Sequence, residues 1–321
     1  MALHPSLTLP ELTEADAWSI VGEPVEAVFA LGQGTRSRVY RVVLREGGTR
    51  VIKILPRDAQ RVAREQWVRA KMAGVQQAPT VPEVLVRQHR WVDHCDVTVM
   101  RLIAGQSLSQ SLRGAAPQVA ARLWHQVGAG LACFHAVTVS GFGLVDGAGR
   151  GPFPSWRMAI EHHARALLAE ARGTALVDLC DTVEASIARR LGCLDEVRTA
   201  RLIHGDAHPN NIHVLNDRVT AWLDFEYAMG ADPLYELTYL AEGFSPSAGV
   251  AQARDQEAFA EGYTARSEAL DDAPERTALY RLLHALRGAE YLKVVGPGLD
   301  AEARERLTKS MRAKLEARQR G

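Results

Sequence analysis

The chain has 321 residues, with 38 Lys plus Arg against 38 Asp plus Glu and a formal net charge of zero at pH 7. That balance gives no support to a nucleic-acid surface, which should look basic, though a local acidic pocket could sit in a neutral protein. At 47% hydrophobic and 24% charged residues, it reads as a soluble globular protein with ample core for one large or two ordinary domains.

The start, Met-Ala-Leu-His-Pro, lacks the basic region and apolar core of a signal peptide, and no apolar run reaches membrane-span length. Cys95, Cys133, Cys180 and Cys193 have no metal-ligand spacing and read as reduced, mostly buried thiols in a cytoplasmic protein. Residues 13–21 open with a Thr-x-x-Asp capping signal and predict a short helix. Leu31-Gly-Gln-Gly-Thr-Arg-Ser-Arg-Val39 then matches Gly-x-Gly-x-x-Gly-x-Val, except that Ser37 stands at the third glycine. Gly32 and Gly34 let backbone approach phosphate oxygens, and the Ser37 hydroxyl could add a hydrogen bond. A plain Gly-rich hairpin turn looks the same.

Val39–Leu44 and Thr49–Leu55 read as strands around the turn Glu46-Gly47-Gly48. The second holds Lys53 in an apolar run, which fits either a phosphate-pairing lysine or an edge-strand lysine facing water. Asp58–Met72 is a helical stretch in which Glu65 stands twelve residues after Lys53. Glu65 is the candidate partner of that lysine, against the plainer reading of a surface acid beside Arg61 and Arg69. Strands near Glu83–His89 and Cys95–Val99 complete a small sheet. Met100-Arg-Leu-Ile-Ala-Gly105 follows, with Met100 and Ile103 placed like an interlobe hinge that binds adenine.

From Ser107 the pattern turns helical. Ala115–Val137 shows Val119, Leu123, Val127, Leu131 and Phe134 on one face. Gly141–Pro154 reads as an exposed loop. Trp156–Leu168 and Thr174–Leu191 form a helical pair. The adjacent His162-His163 do not suit chelation of one ion, because neighbours on a helix diverge. Helices follow at about 233–242, 252–269, 274–295 and 300–319, the last with a charge-rich, solvated face.

The densest chemistry lies in Leu202-Ile-His-Gly-Asp-Ala-His-Pro-Asn-Asn-Ile-His-Val214 and in Ala221-Trp-Leu-Asp-Phe-Glu226. Short β-like runs at Ala200–Ile203, Ile212–Leu215 and Val219–Leu223 bring Asp206, Asn211 and Asp224 to strand ends. One carboxylate to meet a hydroxyl, with an amide and a second carboxylate for Mg²⁺ on nucleotide phosphates, is what a kinase needs. Such residues are also ordinary in turns. His204 is expected to orient this loop rather than act as a base, and the role of His208 is open.

The ordered set Gly32/Gly34, Lys53, Glu65, Asp206, Asn211, Asp224 resembles the protein-kinase-like fold. His-Gly-Asp-x-His-Pro-x-Asn, followed by Leu-Asp-Phe-Glu-x-Ala-x-x-Gly-x-Asp-Pro, is similar to the aminoglycoside phosphotransferase family, which includes or borders choline, homoserine, methylthioribose and macrolide kinases. The resemblance implies an α+β fold of two lobes: an antiparallel β-sheet lobe with one main helix at 1–100, and a larger, mostly helical lobe at 101–321. It implies ATP in the cleft, with GTP as an alternative. It further implies that Asp206 is catalytic, Asn211 and Asp224 bind Mg²⁺, Lys53 binds the α/β-phosphates and Asp232 braces the catalytic loop. No activation segment ending in Ala-Pro-Glu is present, which disfavours a protein kinase.

The acceptor is then expected to be a small-molecule hydroxyl, on an antibiotic such as an aminoglycoside or on a metabolite of choline, homoserine or sugar type. The protein would act as a monomer or dimer without nucleic acid or membrane. A polycationic acceptor needs convergent carboxylates, and the available acids are Glu161, Glu170, Glu226, Glu236, Glu242, Asp255, Glu257, Glu261 and Glu290. Trp156, Trp222, Tyr227, Tyr235 and Tyr291 are the aromatics available to line its pocket.

Overall fold

The computed structural model describes residues 9–33, 37–76, 78–88, 95–243, 253–267 and 273–320. Helix α1 (Glu14–Val21) starts where the sequence places it. The Thr13 hydroxyl accepts the Asp16 N–H at 3.1 Å, and the Asp16 carboxylate accepts the Thr13 N–H at 3.1 Å.

Strands β1 (Val25–Gln33), β2 (Arg38–Leu44), β3 (Thr49–Pro56), β4 (Val84–Gln88) and β5 (Cys95–Arg101) form one antiparallel sheet in the order β1-β2-β3-β5-β4. Lys53 pairs with Val39 of β2 on one side and Thr98 of β5 on the other. It therefore stands in the central strand, and the edge-strand reading fails. The apolar faces of Val42, Ile52, Ile54 and Val97 close over α1 through Ile20 to make one core cluster. Helix α2 (Ala59–Met72) is capped by Asp58, whose carboxylate accepts the N–H groups of Gln60 and Arg61. Its Val68 and Met72 belong to the other, larger core rather than to the sheet's cluster.

That larger core is built on helices. After β6 (Gln106–Ser107) and α3 (Leu108–Ser111), α4 (Pro117–His135) buries Leu123, Val127, Leu131 and Phe134, the stripe read from periodicity. Proline at its first position sets the start two residues later than the pattern suggested. The predicted loop at 141–154 holds a short strand, β7 (Gly143–Leu144), and helix α5 (Trp156–Arg172) runs one turn past its expected end. Helix α6 spans only Cys180–Arg190, because Thr174 accepts the Leu176 N–H and a 3₁₀ turn covers Val177–Leu179.

Then come β8 (Arg201–Ile203), the hairpin β9 (Ile212–Leu215) with β10 (Arg218–Trp222), and β11 (Met229–Ala231). Asn216 and Asp217, both with positive φ, make the tight hairpin turn that two left-handed residues allow. These strands form two three-stranded antiparallel sheets, β10-β9-β6 and β7-β11-β8. Helices α7 (Pro233–Gly243), α8 (Ala253–Thr264), α9 (Pro274–Val295) and α10 (Ala301–Arg320) complete the chain. α8 lies against α4 so closely that a Cβ on Gly262 would sit 1.9 Å from the His125 carbonyl oxygen. α10 packs on α9 through Leu307, Met311 and Leu315, and its charges form pairs such as Lys309–Glu305 and Arg312–Asp178. No helix among the described residues is long and apolar enough to cross a membrane.

Candidate active site

The catalytic loop leaves β8 at Ile203. Gly205 has φ +79°, and a Cβ there would lie 2.1 Å from the carbonyl oxygen of Tyr227, so only glycine fits. The loop hangs on one carboxylate. Glu236 of α7 accepts the His204 N–H at 3.0 Å and the Gly205 N–H at 2.6 Å, and lies 3.0 Å from His135 Nε2. Burial opposes the charge of Glu236, but His135, His204 and the amides hold its pKa below the ordinary glutamate value.

His204 is fully buried and orients the loop, as the sequence suggested. Its Nδ1 accepts the Asp206 N–H at 3.2 Å, which fixes the proton on Nε2, the atom 2.8 Å from the Leu223 carbonyl oxygen. Asp232 does not touch this loop. It joins α9 instead, accepting from Tyr280 at 2.7 Å and Arg276 at 2.9 Å. Sequence order could not separate Asp232 from Glu236, because both lie at the start of α7 and only packing shows which one points at the loop. His208 is exposed and caps the short turn at Pro209–Asn211.

Asn211 donates from Nδ2 to the carboxylate of Asp206 at 3.1 Å and to its backbone oxygen at 2.9 Å. Its own carbonyl accepts the Leu223 N–H at 2.8 Å, one step beyond the Ile212–Trp222 pair of the hairpin. The open end of that hairpin thus sets Asn211 beside Asp224. Asp224 is left-handed, with φ 60°, a strained conformation for a residue with a side chain. Its Oδ1 accepts from Lys53 Nζ. Burial opposes charge on Lys53, yet Asp224, Glu65 and Glu226 outweigh it and raise the ammonium pKa.

Glu65 faces the same cleft. Its Oε1 is out of contact with solvent and accepts no hydrogen bond. Burial, assisted by Asp224 and Glu226, pushes Glu65 up to about 7 against the pull of Lys53 and Arg61. Lys53 is therefore bonded to Asp224, with Glu65 standing by. The sequence reading missed what docks α2 here: Arg61 pairs with Glu226 at 3.2 Å, and Arg64 donates to the carbonyl oxygens of Val145 at 2.7 Å and Glu226 at 2.6 Å. Arg61 and Arg64 are both buried, which packing decides and no local pattern shows.

The cleft is a cavity of about 550 Å³. Val39, Val51, Val84, Met100, Leu102 and Ile103 supply an apolar end, and Lys53, Glu65 and Asp224 a charged end; Ser37 also lines it. Gly32 sits in β1 opposite Val39, and Gly34 lies outside the described residues. The oxygens that Asn211 Oδ1 and Asp224 present are hard donors suited to Mg²⁺, which takes few protein ligands and completes its shell with phosphates and water.

The other side of the loop departs from expectation. Trp156, Trp222 and Tyr235 are buried in the core. Of the expected acids, Glu161 pairs with Arg157, Glu170 with Lys293 and Glu226 with Arg61, Glu236 holds the loop, and Asp255 is buried. Glu257 and Glu261 are exposed on α8. The side chains of Glu242, Glu290 and Tyr291 lie outside the described residues.

An antiparallel β-sheet joined to a helical region, with an apolar-to-charged cleft over a His-Gly-Asp loop, defines a protein-kinase-like two-lobed phosphotransferase. The chain matches the phosphotransferase enzyme family (APH) over residues 28–280 and belongs to that family. Among solved structures, a thermostable mutant of aminoglycoside phosphotransferase APH(4)-Ia is similar at TM-score 0.69 and 21% identity, covering 96% of this chain and 98% of that one. The APH(2")-IIa complex with gentamicin gives TM-score 0.65 at 15% identity, covering 97% of each chain. Macrolide 2'-phosphotransferase MphH from Brachybacterium faecium gives TM-score 0.59 at 17% identity, covering 94% of this chain and 96% of that one. No curated protein matches the sequence.

Proposed function

We propose that the chain transfers the γ-phosphoryl group of Mg²⁺·ATP, with GTP as an alternative donor, to a hydroxyl of a small molecule. The observation that carries this is the Lys53–Asp224 pair at the charged end of an apolar cleft, with the Asn211–Asp206 contact joined to it through the Leu223 N–H that Asn211 accepts. An ADP complex of APH(4)-Ia, a protein of the same fold, adds support for a nucleotide.

Met100 and Ile103 hold the base at the apolar end, and Lys53 neutralises the α/β-phosphates with Gly32, Gly34 and Ser37 over them. Asn211 and Asp224 would hold Mg²⁺, which would supply positive charge to offset that of the phosphates. Glu65, on the same cleft, would serve as a second carboxylate for Lys53 were Asp224 to hold the metal. The acceptor hydroxyl meets Asp206. Its oxygen bonds to the γ-phosphorus, its proton passes to the Asp206 carboxylate, and the bond to the β-phosphate oxygen breaks to release ADP. Residues 1–100 serve as the nucleotide lobe and 101–321 as the catalytic and acceptor lobe, with α2 packed into the second.

Two acceptor classes remain. An antibiotic of aminoglycoside type draws support from the hygromycin B and gentamicin complexes of fold relatives. A metabolite of hydroxy-acid or sugar type draws support from Glu161, Glu170, Glu226 and Glu236, which already have partners within the protein. The test is a thermal-shift titration with Mg²⁺·ATP. The wild type should be stabilised, and Lys53→Ala should weaken that response by about 10- to 100-fold, the value of a lost charge-assisted hydrogen bond. A well-folded wild type that neither Mg²⁺·ATP nor Mg²⁺·GTP stabilises removes the proposal.

A further inference from the structure

Outside the residues that line the cleft, α5, α7 and α9 bring five side chains into a continuous cluster: His163, Tyr235, Tyr239, His284 and Arg287. The Tyr235 hydroxyl lies 3.3 Å from His163 Nε2, and His284 Nε2 lies 2.8 Å from the Tyr235 carbonyl oxygen. The rings of Tyr239 and His284 are 5.4 Å apart, and the Arg287 guanidinium lies 5.3 Å over the Tyr239 ring. Arg287 and Tyr239 both sit within electrostatic reach of Asp206. None of the five lines the nucleotide cleft.

The cluster's chemistry is one-sided. Arg287 is half-buried and forms no salt bridge with a carboxylate among the described residues. Both histidines are held neutral, by burial first and then by the Arg287 charge. Because His284 Nε2 faces a carbonyl oxygen, the ring proton is there and Nδ1 is an acceptor. That Nδ1 is out of contact with solvent and has no hydrogen-bond donor. A half-buried guanidinium that forms no salt bridge among the described residues, opposed by the Asp206 charge but not bonded to it, suits a ligand that brings an anion as well as the hydroxyl that meets Asp206. It does not suit one that brings several ammonium groups, each of which needs a carboxylate and would meet Arg287 as a like charge.

We infer that the acceptor is an acid-bearing polyol, a molecule whose carboxylate or phosphate is received by Arg287 while another of its hydroxyls meets Asp206. The guanidinium fork matches either anion, and the Tyr239 ring beneath it fixes its plane. The inference rests on the phosphotransferase reading, and its test separates the two.

The protein is saturated with Mg²⁺ and a non-hydrolysable ATP analogue, whose own thermal shift reports the nucleotide site. It is then titrated with glycerate and gluconate as carboxylates, glycerol 3-phosphate and glucose 6-phosphate as phosphates, glucose as a neutral control, and gentamicin and hygromycin B as polyamines. One or more of the acids should give a further shift, the responding arm identifying the anion, and glucose and the two antibiotics should give none. Arg287→Met should weaken binding of that acid by about 10- to 100-fold, the value of a lost charge-assisted contact. Arg287→Lys, which keeps the charge, should restore most of it. In turnover the Arg287→Met loss should fall on KM rather than kcat, whereas a mere counter-charge to Asp206 would move kcat. Stabilisation by either antibiotic but by no acid, no response to any acid, or acid binding unchanged in Arg287→Met each overturns the inference while the analogue's shift stands.

Discussion

The two sides of Asp206 are built from opposite chemistry. Toward the cleft, Asp224 and Glu65 stand by one buried ammonium, Glu226 is already paired with Arg61, and burial with mutual repulsion pushes Glu65 up to about 7. Toward α7 and α9, one guanidinium stands among tyrosines and histidines, and burial beside that charge pushes His163 down to about 4 and His284 down to about 3. An excess of carboxylate is what a site for Mg²⁺ and phosphate needs, since the cation arrives with its ligand. A guanidinium with no salt bridge among the described residues, beside neutral rings, is what a site for an anion needs. On the proposed reading the same loop divides a metal-and-nucleotide half from an acceptor half, and the two differ in the sign of their charge.

The most damaging single change should be at the boundary itself. Asp206→Asn keeps the shape and the Asn211 contact but removes the base, so kcat should fall by about 10²- to 10⁴-fold with folding and nucleotide affinity intact. Melting temperature paired with turnover on the identified acceptor decides it. A stable, fully active variant would show that neither half meets its substrate at Asp206.

Glu236→Ala attacks the support beneath both halves. It strands the His204 and Gly205 amides and the His135 ring in a dry interior, so stability should drop by about 3–5 kcal/mol in urea unfolding. A loss below about 1 kcal/mol would mean that the loop is held elsewhere.

The smallest effect expected is one of pH, confined to the acceptor half. His284 has a folded pKa well below its unfolded value of 6.5. Between pH 6.5 and about 3 the unfolded chain therefore binds a proton that the folded protein refuses, and stability is lost as pH falls. His284→Gln removes that proton. Relative to wild type it should lose about 1–3 kcal/mol less on going from pH 7 to pH 4.5, as read by urea unfolding at both values. Parallel losses in the two proteins would show that His284 is protonated in the fold and that the acceptor half is wetter than its packing indicates.

The nucleotide half was legible because its parts are local in sequence or ordered along it. A Gly loop, a lysine in an apolar strand, a helix acid twelve residues on and the Asp-Asn-Asp turn each carry their own signal. The structure brings Lys53, Glu65 and Asp224 around one charged end and Ser37, Met100 and Ile103 onto the same cleft, and bonds Asn211 to Asp206. Helix boundaries such as that of α6 slipped where a side chain competed with the backbone for hydrogen bonds, as Thr174 does.

What the amino-acid order determined by itself was the period of the strands and helices, the glycine that the loop needs and the identity of the chemical groups, because these depend on neighbours within a few residues. Tertiary structure alone decided that Glu236 rather than Asp232 braces the loop, that Arg61 and Arg64 dock α2, that Trp156 and Trp222 are core, and that Arg287 and His284 meet beside Asp206. Those outcomes depend on which face of a helix is buried and on what lies within a few ångströms across chain separations as large as the 162 residues between Arg64 and Glu226. Charge and burial at such contacts are properties of packing, and no local pattern encodes them.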